Sequence, residues 1–486
     1  MQNSKLQRIQ LALFWILGFL FTLFLSYWAI ISEGAWGGMD SYEHYLISRY
    51  SWQHPELFLN NWGKPVFTLF HSFVAQFGFT FFKVVNVLWI LVASIILKIM
   101  LQRIATSVLP FIPLLLFSSP IVLRNAVSGL TEPFTAVLVL LSLLLFLKKK
   151  WGIAAILGGF LPYVRSEGYV IAFVMGLFLL SEKRYRYFLY LSVGSLIFNT
   201  LGGIITGDWI WIYNSNPYIE AQVLSKGACG SGSLWHYFYQ SEFIFGWLFL
   251  VLTPLALFSV FKHSIFRKVN KKILFLFASI FLCYFGIHSL IWWKGMMGSC
   301  GYTRVMLVIL PISIFLLLYL MVYFFENKSK KLYFLSLLIA TIIGSTIFFD
   351  FGNRTFPLDI DKEQKEMIRV AKWLKKNTLE KDLLYFQFPY LNVIGDINPF
   401  NPEKQMKLFH FGFKHAPVGS YVIWDAHFGP NDCHLPLQYL KESQDLIQLT
   451  HFVPKEPFKT MNNHDFEVYI FKRIGNKDKR DKPHAY

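Results

Sequence analysis

Charged residues are scarce in this sequence. They make up 15% of 486 residues, against 55% hydrophobic, where a soluble domain carries about 25%. Cysteine is equally sparse. Four cysteines in a chain this long do not form a disulfide framework, and a pairing of Cys229 with Cys300 stays open. No P-loop, GxGxxG, GxSxG or HExxH occurs, which argues against soluble nucleotide chemistry and serine hydrolysis. There is no internal repeat of the kind that builds many transporters. Low complexity is confined to the basic last dozen residues. The first apolar run, Leu11 to Ile31, follows Lys5 and Arg8 and lacks a small-x-small cleavage site, so it is expected to stay as an uncleaved span.

What is present is apolar sequence in membrane-spanning lengths. Spans are expected near 11–31, 82–101, 107–123, 130–147, 187–206, 243–261, 273–291, 303–325 and 332–349. A further stretch, 152–181, is broken by Pro162, Arg165, Glu167 and Gly168 and reads as two short helices that cross and return. The total is about 11 spans. The net charge of +17 follows the topology and does not indicate nucleic acid: residues 350–486 hold 20 Lys+Arg and 18 Asp+Glu, leaving +15 in the membrane half. With the N-terminus inside, the inner loops carry 18 basic and 2 acidic residues, as cytoplasmic loops do. The acids Glu33, Asp40, Glu43, Glu56, Glu132, Glu167, Asp208, Glu220 and Glu242 then lie outside.

Composition shifts after Phe349. Residues 1–349 are expected to form the multi-span domain and 350–486 a soluble extracytoplasmic α/β domain. In the latter, Glu363 to Asn377 has the spacing of an amphipathic helix (Met367, Ile368, Ala371, Leu374). Strands are expected near 383–388, 420–425, 446–452 and 467–473.

Five stretches bear candidate chemistry. In DSYEH, a helix over 40–50 puts Asp40, Glu43 and His44 on one face. Asp40-x-x-Glu43 also has the form of a capping box, so a helix cap and a catalytic acid both stand as readings. Glu132 precedes Pro133 at the start of a span, a position favoured by the helix dipole. Arg165 and Glu167 interrupt an apolar stretch, where charges mark a pair, a pathway or a site. His288, Lys294 and Arg304 surround a Gly-rich outer loop with Trp292 and Trp293, a placement suited to a phosphate. Asp425, His427, Asp432 and His434 are metal-ligating types without a zinc spacing; a strand-end turn with solvated polar residues is the simpler account.

Taken in order, these motifs resemble the GT-C class of integral-membrane glycosyltransferases. Relatives in that class include the protein O-mannosyltransferases, the aminoarabinose transferases of lipid A and the mannosyltransferases of the glycolipid-anchor pathway. The likeness is carried by Gly38-Met39-Asp40-Ser41-Tyr42-Glu43 with Gly63-Lys64-Pro65, then Thr131-Glu132-Pro133, Arg165-Ser166-Glu167-Gly168, and Gly301-Tyr302-Thr303-Arg304. It covers most of residues 1–325. A paired Asp-Glu or Asp-x-Asp is missing from the first loop, where Asp40 and Glu43 stand three apart.

The resemblance implies a polyprenyl-phosphate sugar donor, transfer at the outer face of the plasma (inner) membrane, and inversion at the anomeric carbon. It casts Asp40 as base, Glu43 or Glu132 as helper, and Arg304 and Lys294 as holders of the leaving phosphate. Arg165, Glu167, Lys64 and His288 complete the expected substrate site. The metal is unknown; a divalent cation (Mg or Mn) is the one cofactor the likeness leaves open. The acceptor, whether glycan, lipid or protein, is not specified, and membrane lipids are the other partners. The rival readings are a lipid-linked sugar flippase and an outer-leaflet polysaccharide polymerase or ligase.

Overall fold

The computed structural model describes residues 2–217, 230–246, 253–257, 260, 269–326, 330–409, 415–460 and 462–475. Part of the expected span 243–261 (247–252, 258, 259 and 261) lies outside the described residues, as do Glu220 and Cys229. The chain divides into two compact units, Met1–Asp359 and Ile360–Tyr486. The helix Lys330–Thr355 runs through the composition change at Phe349.

In the first unit, α1 (Gln2–Ile31) leads into an outer loop that folds as α2 (Met39–Tyr50) and α3 (Pro65–His71) before α4 (Phe79–Leu101). Among the described residues, five helices are long and apolar enough to cross a membrane: Lys5–Ile31, Phe79–Leu101, Tyr185–Thr206, Lys271–Lys294 and Leu332–Thr355. Their outward faces stay apolar, with Ile16, Phe19 and Leu23 of α1 more than half exposed. Such a surface is tolerated against lipid and not against water.

One expected single span is interrupted and a second has a short break. The run 107–123 bends by 66° between Thr106–Phe117, which includes α5 (Phe111–Phe117), and α6 (Pro120–Ala126). The cause is local. The Pro120 ring disfavours helical geometry at the residue before it, and Ser119 is extended (ψ 124°). The run 187–206 has a short break at Leu191–Ser192, between Tyr185–Tyr190 and Val193–Thr206, but remains one membrane-length helix. Four further apolar helices are shorter than a full crossing: α7 (Glu132–Leu147), the α8 (Trp151–Phe160) segment that continues to Tyr163, α9 (Gly168–Ser181) and Leu310–Val322. At 1.5 Å per residue, the 14 residues of α9 extend about 21 Å, short of a core about 30 Å thick. The chain turns between α8 and α9 because Gly168 lies against Leu161; a Cβ there would fall 2.3 Å from the Leu161 carbonyl carbon.

The second unit contains a five-stranded mixed sheet in the order β2-β1-β3-β5-β4: β1 (Leu384–Tyr385), β2 (Gln405–Met406), β3 (Tyr421–Asp425), β4 (Leu446–Phe452) and β5 (Val468–Arg473). β1 is parallel to β2 and β3, and β5 is antiparallel to β3 and β4. The helix Lys362–Asn377 buries Met367, Val370 and Leu374. It starts with a true capping box, in which Asp361 accepts from the Gln364 amide at 2.7 Å and Gln364 accepts from the Asp361 amide at 3.2 Å.

Candidate active site

The outer loops of the first unit bring together charges that are far apart in sequence. Asp40 lies in the first turn of α2, whose N-cap is Gly38 with no side-chain cap bond. The capping-box reading of Asp40-x-x-Glu43 is therefore incorrect: the helix starts two residues too early for Asp40 to cap it. Its carboxylate instead accepts from Nη2 of Arg304, and Nη1 of Arg304 donates to the Gly37 carbonyl at 3.2 Å. Arg304 is delivered by the short turn Thr303–Val308, just ahead of the helix Leu310–Glu326.

Glu132 opens α7 and is wholly buried. Its Oε1 lies 2.9 Å from Arg165 Nη1 and 3.4 Å from Arg304 Nε. Neither contact is a linear hydrogen bond, so the carboxylate is held by charge between two guanidiniums. Arg165 in turn donates to Glu167 at 2.8 Å and to the Thr131 hydroxyl at 2.8 Å. Asp40, Arg304, Glu132, Arg165 and Glu167 thus form one continuous alternating chain of charge. A buried acid at a helix N-terminus also gains from the helix dipole, but the two arginines explain its burial better than the dipole does.

Lys64 joins through Ser166, to which its Nζ donates at 2.9 Å. It is buried, at the start of α3 with φ +67°, and burial lowers its pKa from the ordinary lysine value to about 8. His44 packs on Trp62 with ring centroids 4.6 Å apart. Glu43, one turn on from Asp40, is half-buried. His288 is buried on the helix Lys271–Lys294, 4.6 Å from the Tyr284 ring, and its Nε2 has no partner among the described residues. Lys294 stands apart from the group. It is exposed, and its ammonium sits 3.8 Å from the Trp293 ring. Cys300 is disulfide-bonded, whereas Cys283 and Cys433 are free.

Sequence reasoning missed Lys83 and Asn86, which lie near the start of α4 and are fully buried. Lys83 Nζ donates to the carbonyls of Ser32 (2.6 Å) and Gly34 (3.1 Å). Asn86 Nδ2 donates to those of Ser128 (2.7 Å) and Leu130 (3.0 Å). A lone Lys and a lone Asn at the end of a strongly apolar span carry no motif; only their i, i+3 spacing points to a shared face.

In the second unit, Asp425 is not solvated as expected. It is buried at the end of β3 and accepts from the amides of His427 (3.0 Å) and Phe428 (2.8 Å). His427 pairs with Glu363 at 2.7 Å, while Asp432 and His434 are exposed. No three described His, Cys, Asp or Glu residues converge to hold a metal ion.

No family model matches the chain, and neither does any curated protein. Its fold is similar to two solved structures of ArnT from Cupriavidus metallidurans. One, bound to undecaprenyl phosphate, superposes with a TM-score of 0.58 at 9% identity, over 94% of this chain and 97% of that one. The other, in the apo state, gives 0.56 at 11%, over 97% and 98%. The polytopic GT-C fold expected from the motifs is thus the fold found.

Proposed function

We propose that the chain is an integral-membrane glycosyltransferase that moves a sugar from a polyprenyl-phosphate donor to an acceptor at the outer face of the inner membrane. The observation that carries this reading is the alternating group Asp40–Arg304–Glu132–Arg165–Glu167, assembled on a fold that in ArnT accommodates undecaprenyl phosphate. It supplies a carboxylate next to phosphate-binding cations, the two elements such a transfer needs.

In the proposed step the acceptor oxygen or nitrogen attacks the anomeric carbon, and Asp40 takes its proton. The bond from that carbon to the phosphate oxygen breaks, and its electron pair leaves with the lipid phosphate. Arg304 and Lys64 stabilise the charge that develops there. Glu132 and Arg165 fix the orientation of Arg304. Attack opposite the leaving phosphate inverts the anomeric centre. Lys294, stacked on Trp293, is better placed to meet headgroups than to hold the phosphate of the donor. The N-terminus lies in the cytoplasm and the second unit outside.

The test is binding of polyprenyl phosphate to purified protein, alongside sugar transfer from the matching polyprenyl-phosphate sugar. Arg304→Ala and Lys64→Ala are expected to weaken binding at least about tenfold, the loss of one charge-assisted contact. Wild-type binding in both variants would remove these cations from the site and the reading with them.

A further inference from the structure

The proposed chemistry requires Asp40 and Glu132 to be held in a fixed relation, yet they sit on separate outer loops. Those loops are joined by a small polar clasp. Trp36 forms a parallel bridge with Ser128, and its amide donates to Val127 at 3.2 Å. The Ser41 hydroxyl donates to the Trp36 carbonyl at 2.6 Å and accepts from the Gly129 amide at 3.0 Å. The loops approach so closely that a Cβ on Gly129 would fall 2.3 Å from the Ser41 carbonyl oxygen.

Two side chains of α4 anchor the clasp from below. Lys83 holds the carbonyls of Ser32 and Gly34, at the exit of α1 on the way to Asp40. Asn86 holds the carbonyls of Ser128 and Leu130, just before Glu132. Three residues apart on one helix, they share a face, so a single rigid element sets the positions of both loops. The Ser32 hydroxyl also accepts from the Leu358 amide at 2.9 Å, tying the end of the first unit to the same point. A lysine buried in an apolar span is costly. Carbonyl satisfaction alone does not require one, since a neutral donor would serve. What the long stem adds is reach to two carbonyls beyond the end of the neighbouring helix, where a cation also meets the helix dipole.

We infer that Lys83 and Asn86 are positioning residues for the transfer reaction: through the Trp36–Ser128 bridge and the Ser41 hydroxyl they set the separation of Asp40 and Glu132. The inference rests on the glycosyltransferase reading for its kinetic part.

The experiment compares Lys83→Met and Asn86→Leu, which keep side-chain bulk, with wild type. Misplacing a reacting group by an ångström costs up to about 100-fold, so kcat is expected to fall about 10- to 100-fold with donor KM within about twofold. Hydrogen exchange is expected to quicken in both peptides 32–42 and 127–133 for either single variant. A merely structural role would lower thermal stability and leave kcat of the folded protein unchanged; that result, or exchange confined to one loop, overturns the inference. If Lys83→Met does not fold, Lys83→Gln and Asn86→Ser carry the same comparison. If wild-type protein transfers no sugar from a polyprenyl-phosphate donor, the functional reading fails, and the exchange data still decide whether the clasp couples the loops.

Discussion

Replacing Asp40 by Asn tests the central role most directly. The substitution keeps shape and one hydrogen-bond acceptor but removes the charge and the ability to take a proton. Helix α2 does not depend on Asp40 for its start, because the N-cap is Gly38 and no side chain caps it. The stability cost is then limited to the ion pair with Arg304. The Asp40 side chain is 38% exposed, and pairs reached by solvent are worth up to about 1 kcal/mol. Arg304 keeps its contacts to Gly37 and Glu132, at 3.2 and 3.4 Å, so it stays in place.

Two kinetic quantities move in a defined way. Loss of a positioned base lowers kcat by about 10²- to 10⁴-fold. Donor KM stays level or falls, because Arg304 no longer divides its charge between Asp40 and the phosphate. The same ~1 kcal/mol bounds that gain at about fivefold. The assay is initial-rate sugar transfer by purified protein over a range of polyprenyl-phosphate sugar concentrations, with thermal unfolding in parallel. Transfer within tenfold of wild type at unchanged stability would make Asp40 an ion-pair partner only. A rise in donor KM would refute the competition between Asp40 and phosphate for Arg304.

Glu132→Gln behaves differently, since the carboxylate is fully buried between two arginines. Each arginine keeps a second carboxylate, so the loss is expected near the lower end of that for a broken buried pair, about 3 kcal/mol; unchanged thermal unfolding would count against the charge chain. Leu379→Cys, at an exposed position of the second unit and made in a variant whose four native cysteines are replaced by serine, is expected to react with a membrane-impermeant maleimide on intact cells, and protection there would invert the proposed topology. The second unit is expected to lose stability as pH rises. Burial opposes charge on His427, but its hydrogen bond to Glu363 wins and raises its pKa above 6.5; burial pushes Asp425 up to about 6. Both groups bind protons more tightly folded than unfolded, so Asp425 reduces stability as pH climbs from 3.8 to about 6, and the His427 contribution, complete below 6.5, is lost as pH passes its raised folded value. His427→Gln should flatten the upper part of a melting-temperature profile between about pH 5 and 8, and an unaltered profile would dismiss the Glu363 pair as its source.

Charges that interrupt apolar sequence were the legible part of the site. Glu132, Arg165, Glu167 and Arg304 stand out because nothing in a lipid-facing helix calls for them, and the structure places all four in one group. Amphipathic spacing likewise marked the helix Lys362–Asn377. Helix register was not legible. Asp-x-x-Glu looks the same whether its Asp lies at the N-cap or inside the first turn, and the difference is two residues, decided by Gly38 in a conformation with φ +59°. Length hid other features. β2 pairs only Gln405 and Met406 with β1, too short for alternation to register. Lys83 and Asn86 were obscured by context, since a span of high mean hydropathy absorbs two polar residues without losing its signature, and their partners are backbone carbonyls that no sequence pattern displays.

The charge arrangement bears on the order of events under the proposed reading. Three cations, Lys64, Arg165 and Arg304, face three carboxylates, Asp40, Glu132 and Glu167. The group is formally neutral, and the base is bound to the residue that must receive the phosphate. Glu132 is sealed from solvent and held from two sides, whereas Asp40 is the member most open to exchange. A donor phosphate approaching Arg304 therefore displaces Asp40 in preference to Glu132. Asp40 is then released from the ion pair that occupied its carboxylate and is free to meet the acceptor. Seating the donor and readying the base become one step, so the acceptor meets an active carboxylate only after the donor is in place.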